Sequence, residues 1–345
     1  SELIFGLLSA IVVCLVVFSS RQLRITSNKA LVVENEVILS IQGTLSIEGL
    51  ITSLEELNVT FDPDELKWSA RLQGWRSFQK GSYSLNGNYS FEVLLSKLAR
   101  GIQDPVPLTI LPGITIEKFA ENVSNQVDVS ENEMLDIFND SLFLDNVGLS
   151  KNELFGRMLP ETYLVYWTSS GKEIVRRVLR EFNDKVEKQY SEVVEEDGLS
   201  IAQVLAMASI VEWEAYNDEE KPTISGLYWN RLNKRMMLQA DPTVNFALGE
   251  RRRLLFEDYK VDHPYNTYQN RGLPPGPITN PSLKTIEATI YPVEHDYIYM
   301  VANPEGGHIF TRTFEEHQVE SEKWRRWLRQ QYRIKRQREQ ESLND

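Results

Sequence analysis

Apolar and polar positions change rhythm several times along the chain, and each rhythm predicts a different element. Leu3 to Phe18, LIFGLLSAIVVCLVVF, holds no charge. Ser19 and Ser20 extend it toward the ~20 residues that cross a bilayer, so residues 1–22 read as a single transmembrane anchor. Glu2 stands where a cleavable signal peptide would carry a basic region. Arg21, Arg24 and Lys29 follow the span, and the positive-inside rule taken alone would leave the body of the protein in the cytoplasm. Residues 32–60 carry Val, Ile, Leu and Thr in short alternating pieces and are expected as strands. Residues 62–75 switch to helical spacing. Tyr83 and Leu85 then alternate as a strand and Asn86-Gly87 predicts a turn. Ser90 is placed to cap a helix that runs to Leu98 and stops at Gly101.

Further on, residues 104–117 predict a short strand, a Pro-Gly turn and a helix capped by Thr115. The stretch 128–147 is acidic and helical. Ile174, Val178, Leu179, Phe182 and Val186 form the stripe of a strongly amphipathic helix. Ser200 introduces IAQVLAMASIVEWEA, an apolar helix, and a second helix runs through Leu227, Tyr228, Arg231 and Leu232 to a polar turn at 239–243. Strands follow at Tyr297–Ala302 and around His308 and Phe310, and from Glu322 a basic helical tail begins. The fold class is α+β: an N-terminal membrane helix, a small α/β module, and a mixed α+β body.

Composition narrows the chemistry. A formal charge of -13 argues against nucleic-acid backbones as partner. Cys14, in the apolar run, is the only cysteine, which leaves no disulfide and no thiol nucleophile. The four histidines, His263, His295, His308 and His317, show no metal-binding spacing, so neither a metal nor another cofactor is expected.

The candidate chemistry lies in ASIVEWEA, where Glu212 and Glu214 flank Trp213 inside an apolar run. At about 100° per residue Glu212 falls over Ala208 and Ser209, on the packed side or its margin, while Glu214 lies about 200° further and faces away. A carboxyl beside apolar walls holds its proton toward neutrality, the condition for a general acid, and this favours Glu212. On the same reading Glu214 has no such reason, and a buried ion pair with Arg231 is the alternative fate of Glu212. Downstream, HPYNTYQNRGLPPGPITNPS sets Tyr265, Asn266, Thr267 and Tyr268 beside a proline-stiffened loop. That is either a sugar platform or a rigid connection. His308 either orients a substrate or satisfies its turn.

SIVEWE, NRL, LQADPTVNFALG, HPYNTY, GLPPGPITNPS, YIYMVANPEGGHIF and EEHQ occur in that order, preceded by FQKGSYSLNGNYSFEVLLSKLARG, LTILPGITIEKFAENV and MLPETY. Together, over residues 30 to 320, they resemble the YceG-like endolytic murein transglycosylase family. The resemblance implies a LysM-like module within 30–103, a connecting subdomain at 104–190, a catalytic core at 191–320 and a basic tail at 321–345. It implies a single-pass inner-membrane protein whose body lies outside the cytoplasm, against the charge rule. It also implies cleavage within peptidoglycan glycan strands, between N-acetylmuramic acid and N-acetylglucosamine, leaving 1,6-anhydro ends. Partners would be the glycan strands and the membrane, with cell-wall synthesis enzymes admitted and nucleic acid not. Carried over residue by residue, Glu212 is the acid, and Asn230, Arg231, Gln239, Asp241, Thr243, Tyr265, Asn266, Thr267 and Asn280 are cleft wall. Departures are Leu111-Pro112 where proline and glutamate are usual in LTILPGITIEKFAENV, Phe155 for a usual glutamate, Lys221-Pro222 for Glu-Arg, Ala240 for threonine, and Trp213 for lysine. The tryptophan either joins the wall behind Glu212 or stacks on a sugar. Two alternatives stand beside the enzyme: an inactive glycan-binding scaffold of the same fold, and a two-carboxylate hydrolase with Asp241 as its second acid.

Overall fold

In the computed structural model the backbone is described for residues 2–341 and side chains for residues 4–338. The chain forms two compact units. One takes the chain as far as Leu108 together with residues 126–129 and 164–170; the other holds 109–125, 130–163 and the chain from Gly171 onward.

The first unit begins with α1 (Glu2–Thr26), whose stretch Ile4–Thr26 has a mean hydropathy of 2.2 and is long and apolar enough to cross a membrane. After it come β1 (Leu31–Ile41), β2 (Leu45–Ser46), α2 (Ile47–Glu56), β3 (Thr60–Phe61) and α3 (Pro63–Gln73). Then follow β4 (Ser77–Phe78), β5 (Gly81–Tyr89), α4 (Phe91–Ala99) and β6 (Pro105–Thr109). β1 is the centre of an antiparallel sheet between β3 and β5, and β2 pairs with β4. Leu39 and Leu85 from the sheet pack with Leu50 and Leu54 of α2, Leu66 of α3 and Leu94 and Leu98 of α4.

Two expectations are corrected in this unit. Residues 47–56 are a helix where strands were expected, because Ser46 accepts from Gly49 N at 3.2 Å as an N-cap, and Leu50 and Leu54, four apart, are fully buried. Asn86-Gly87 is no hairpin turn but lies inside β5. Val33 faces Gly87 and Val37 faces Leu85, so β1 bulges there, and the positive φ of Gly87 (78°) accommodates the irregularity.

The second unit carries α5 (Ile116–Ser124), α6 (Glu131–Ile137), α7 (Ser141–Val147), α8 (Lys151–Gly156), the first two residues of β7 (Thr162–Tyr166), α9 (Gly171–Phe182) and α10 (Lys188–Glu196). Its later part holds α11 (Ile201–Glu214), α12 (Lys221–Asn233), α13 (Asp241–Leu248) and α14 (Leu283–Ile290). The hairpin of β8 (Tyr299–Ala302) and β9 (His308–Thr311) and the long α15 (Phe314–Glu341) complete it. Phe155 joins Phe119 and Phe138 in a buried edge-to-face cluster with centroids 5.7–5.9 Å apart, which accounts for an aromatic residue at that position. Between α9 and α10 the helix widens through a π-helical turn at Asn183–Glu187. Ile174, Val178, Phe182, Val186, Tyr190 and Val194 recur every fourth residue. In a regular helix such a stripe drifts by about 40° per step, and the wide turn returns it to the core side.

Candidate active site

α11 is the buried centre of the second unit. Its residues are apolar all round, and from Val204 to Val211 every one is buried, so the helix is set by its surroundings on all faces. A capping box starts it: Ser200 Oγ accepts from Gln203 N, and Gln203 Oε1 accepts from Ser200 N at 2.9 Å. Ser209 is fully buried and its hydroxyl, donating to Ala206 O, accepts from Ile278 N at 3.0 Å, which moors the proline-rich loop. Both glutamates sit in the last turn.

Glu212 is held in a polar cage. Its Oε2 accepts from Ser282 N at 3.0 Å, from Ser282 Oγ at 2.9 Å and from Thr285 Oγ1. Lys221 Nζ lies 3.5 Å from Oε1, and both side chains are below 10% exposed. Ser282 is also the N-cap of α14, so the carboxylate lies at the positive end of that helix. The apolar wall expected for Glu212 is therefore corrected: four donors surround it. The expected Arg231 partner is corrected as well, since Arg231 donates to Ile298 O and Leu238 O at 2.6 and 2.5 Å and lies over the Tyr299 ring. The cation is Lys221, at a position the sequence offered only as a departure. Ser282 and Thr285, some seventy residues away, were not singled out; the S-x-x-T start of α14 is their one sequence signal.

Glu214 differs on every count. Tyr228 donates to its Oε1 at 3.0 Å, and burial followed by the nearby charge of Asp241 pushes its carboxyl from 4.5 up to about 7, with Arg231 and Arg251 opposing. It lines a cleft of about 310 Å³ with Trp213, Asp241, Pro242, Asn245, Arg251 and Arg252. The expectation that Glu214 faces away with no reason to hold a proton is thus overturned. At the end of a helix buried on all sides, the face opposite Glu212 meets a second wall rather than open water. A larger hollow of about 750 Å³, lined by Asp197, Trp229, Leu273 and Pro274 among others, contains neither glutamate.

The other candidates divide by exposure. Asp241 is exposed at the cleft and accepts from Tyr268 Oη at 2.7 Å and Tyr259 Oη at 3.4 Å, in the surroundings of Glu214 rather than of Glu212. Gln239 is exposed in a left-handed conformation, φ 49°. Trp213 is largely buried: Nε1 donates to Gly113 O at 2.8 Å, and Arg251 lies over its ring at 5.0 Å. Gly113 itself needs its positive φ of 65°, and a Cβ there would touch Glu212 and Trp213 at 3.5 Å. Thr243, Asn266, Thr267 and Asn280 are 0–2% exposed, which corrects their placement as cleft wall. Thr243 and Thr267 share a hydroxyl contact of 2.9 Å, and Thr267 also accepts from Ala240 N. Asn266 donates to Tyr259 O and Val261 O. Asn280 donates to Leu111 O and Met158 O and accepts from Ile114 N. Tyr265 packs on Phe246 and accepts from Asn152 at 2.6 Å. Asn230 donates to His295 O and Tyr297 O, and His308 pairs with Glu220 through its backbone N–H and Nδ1. Among the described residues no group of His, Cys, Asp and Glu has the arrangement of a metal site.

Fold and cleft together define an α+β protein with a carboxyl of raised pKa lining a polar cleft at the end of a buried helix. The chain belongs to the YceG-like family, whose model matches residues 39–323. It is 29% identical over 305 residues to an endolytic murein transglycosylase of Bacillus subtilis, covering 84% of each chain. It is 27% identical over 312 residues to an endolytic murein transglycosylase of Streptococcus pneumoniae, of which the match spans 56%. A solved YceG-like protein from Listeria monocytogenes superposes with a TM-score of 0.60 at 28% identity, over 82% of this chain and 98% of that one.

Proposed function

We propose that this protein is an endolytic peptidoglycan transglycosylase that breaks the bond between N-acetylmuramic acid and N-acetylglucosamine within a glycan strand, with Glu214 as general acid and base. The observation that carries the reading is the Glu214 carboxyl, pushed up to about 7 and lining the cleft. It replaces Glu212 in the role expected from the sequence. Glu212 has its oxygens committed to Ser282, Thr285 and Lys221, and we read it as the tie between α11, α12 and α14.

Protonated Glu214 donates to the glycosidic oxygen as positive charge develops at the muramoyl C1. The carboxylate it becomes then accepts the proton of the C6 hydroxyl, whose oxygen bonds to C1 and closes the 1,6-anhydro ring. No water is consumed, because the nucleophile is already attached to the sugar. Arg251 and Tyr228 position the carboxyl, and Asn280, Thr243, Asn266 and Thr267 hold the loops that shape the cleft from behind. The first unit we read as the LysM-like glycan-binding module at 30–103, with 104–190 as connecting subdomain and 191–320 as catalytic core. α1 is read as the membrane anchor, with the body on the outer side of the cytoplasmic membrane.

A second reading is favoured by one observation: Asp241 shares the cleft and raises the Glu214 carboxyl, as a second acid of a hydrolase would. Digestion of purified peptidoglycan, with products weighed by mass spectrometry, separates the two. Anhydro-muramoyl ends from wild type are expected and support transglycosylation; reducing ends mean hydrolysis. Glu214→Gln is expected to lower the rate by about 10²–10⁴-fold. Glu212→Gln is expected to keep the product chemistry while costing about 2 kcal/mol of stability, because the Ser282 and Thr285 donors lose a charged acceptor while Lys221 keeps Asp218 at 2.7 Å. A silent Glu212→Gln beside an active Glu214→Gln would overturn the assignment.

A further inference from the structure

The net charge of -13 hides one opposite segment. Lys323 to Arg338 within α15 holds eight cations and no carboxylate: Lys323, Arg325, Arg326, Arg329, Arg333, Lys335, Arg336 and Arg338. This segment connects to the cleft. Arg253 Nη1 donates to Tyr332 Oη at 3.2 Å, and two residues earlier Arg251 lines the cleft beside Glu214. Arg329 and Arg336 lie three before and four after Tyr332, on the face of α15 that meets Arg253, and both are exposed. The intervening Arg252 is held by Asp258, with Nη1 to Oδ2 at 2.7 Å and Nη2 to Oδ1 at 2.9 Å, which fixes the backbone between Arg251 and Arg253.

We propose that Arg251, Arg253 and the basic half of α15 form a continuous cationic strip that binds carboxylates carried on the muramoyl side arms of the strand as it leaves the cleft. The inference rests on the proposed peptidoglycan substrate and adds what part of it is read. A neutral chitin-like strand offers this strip nothing, whereas a peptidoglycan strand repeats a carboxylate-bearing arm at every second sugar. The repeat suits an extended row of guanidinium groups, each weak alone and effective in number. Continuity with the cleft favours a glycan strand over an anionic lipid surface, which would need no link to Arg251. The carboxylates come from the peptide stem or, where the stem has been removed, from the lactyl group it was joined to.

The test measures binding rather than turnover, using full-length Glu214→Gln protein in nanodiscs of neutral lipid. Cosedimentation is read with intact peptidoglycan, with peptidoglycan stripped of stems by an amidase, and with peptidoglycan whose carboxylates are capped as neutral amides. Capping is expected to weaken binding about tenfold, as is the triple change Arg329→Gln, Arg333→Gln and Arg336→Gln on intact strands, with no further loss when the two are combined. Retained binding after stripping assigns the lactyl carboxylate, and lost binding assigns the stem. Equal binding of capped and intact strands overturns the proposal. So does a triple variant that binds intact strands normally but loses phosphatidylglycerol vesicles, which would assign the strip to a membrane. Because the readout is independent of cleavage, a failure of the proposed transglycosylase reaction would show separately in the product analysis.

Discussion

At the scale of single residues, the two glutamates of α11 meet surroundings that helical phase alone does not give. Phase correctly separates them onto different sides, but it does not say what each side meets. Glu212 meets Ser282, Thr285 and Lys221, two of them about seventy residues distant in sequence, and Glu214 meets Tyr228 and the charge of Asp241. Partners brought in by tertiary packing decide whether a carboxyl keeps its proton, and no spacing within ASIVEWEA carries that information. The consequence for pH is signed. Burial and Asp241 push the Glu214 carboxyl up to about 7, so the proposed donor role predicts that kcat/KM falls about tenfold per unit above that pH. Stability follows the same proton. The folded protein keeps it between 4.5 and about 7 where the unfolded chain has released it. The contribution is thus complete below 4.5 and is lost as pH rises through 7. Thermal melts of Glu214→Gln are expected to match wild type at pH 4 and to exceed it at pH 8 by on the order of 2 kcal/mol.

At the scale of elements, helices with a polar cap and a regular stripe were legible, and the causes are visible in the caps themselves. Thr115, Ser90 and Ser200 each accept from the backbone N–H three residues on, starting α5, α4 and α11 where the sequence suggests. α2 was misread because its alternation of apolar and polar residues also fits a strand, and burial of Leu50 and Leu54 against the sheet decides the matter. Loops were the least legible. The Asn and Thr residues expected to face sugar are instead consumed by backbone groups, since a chain that runs buried without regular structure must satisfy its N–H and C=O groups by side chains. Asn280 does this three times, for Leu111, Met158 and Ile114. Asn280→Ala is expected to cost about 3 kcal/mol in urea denaturation. It is also expected to lower turnover, because the segment it holds carries Gly113 against Trp213.

At the scale of the whole molecule, α1 is separable in composition from everything after it. Removing residues 1–26 is expected to move the protein from the membrane fraction to the soluble one, read by fractionation and detergent phase partition, while cleavage of soluble glycan fragments persists. The first unit is separable in compactness but not in chain order. Lys80 forms an ion pair with Asp128 and lies near the Trp167 ring, and Gln103 donates to Thr168 at 2.8 Å. Three stretches of chain, the last ending at Ser170, build that unit. The order of synthesis inherits this threading: the core of the N-terminal unit lies within residues 30–99 and is complete early, whereas its last stretch, ending at Ser170, leaves the ribosome after α5 to α8 of the other unit are made. The first unit therefore gathers its last pieces after its core is made, and no single cut yields two pieces that each keep their own parts.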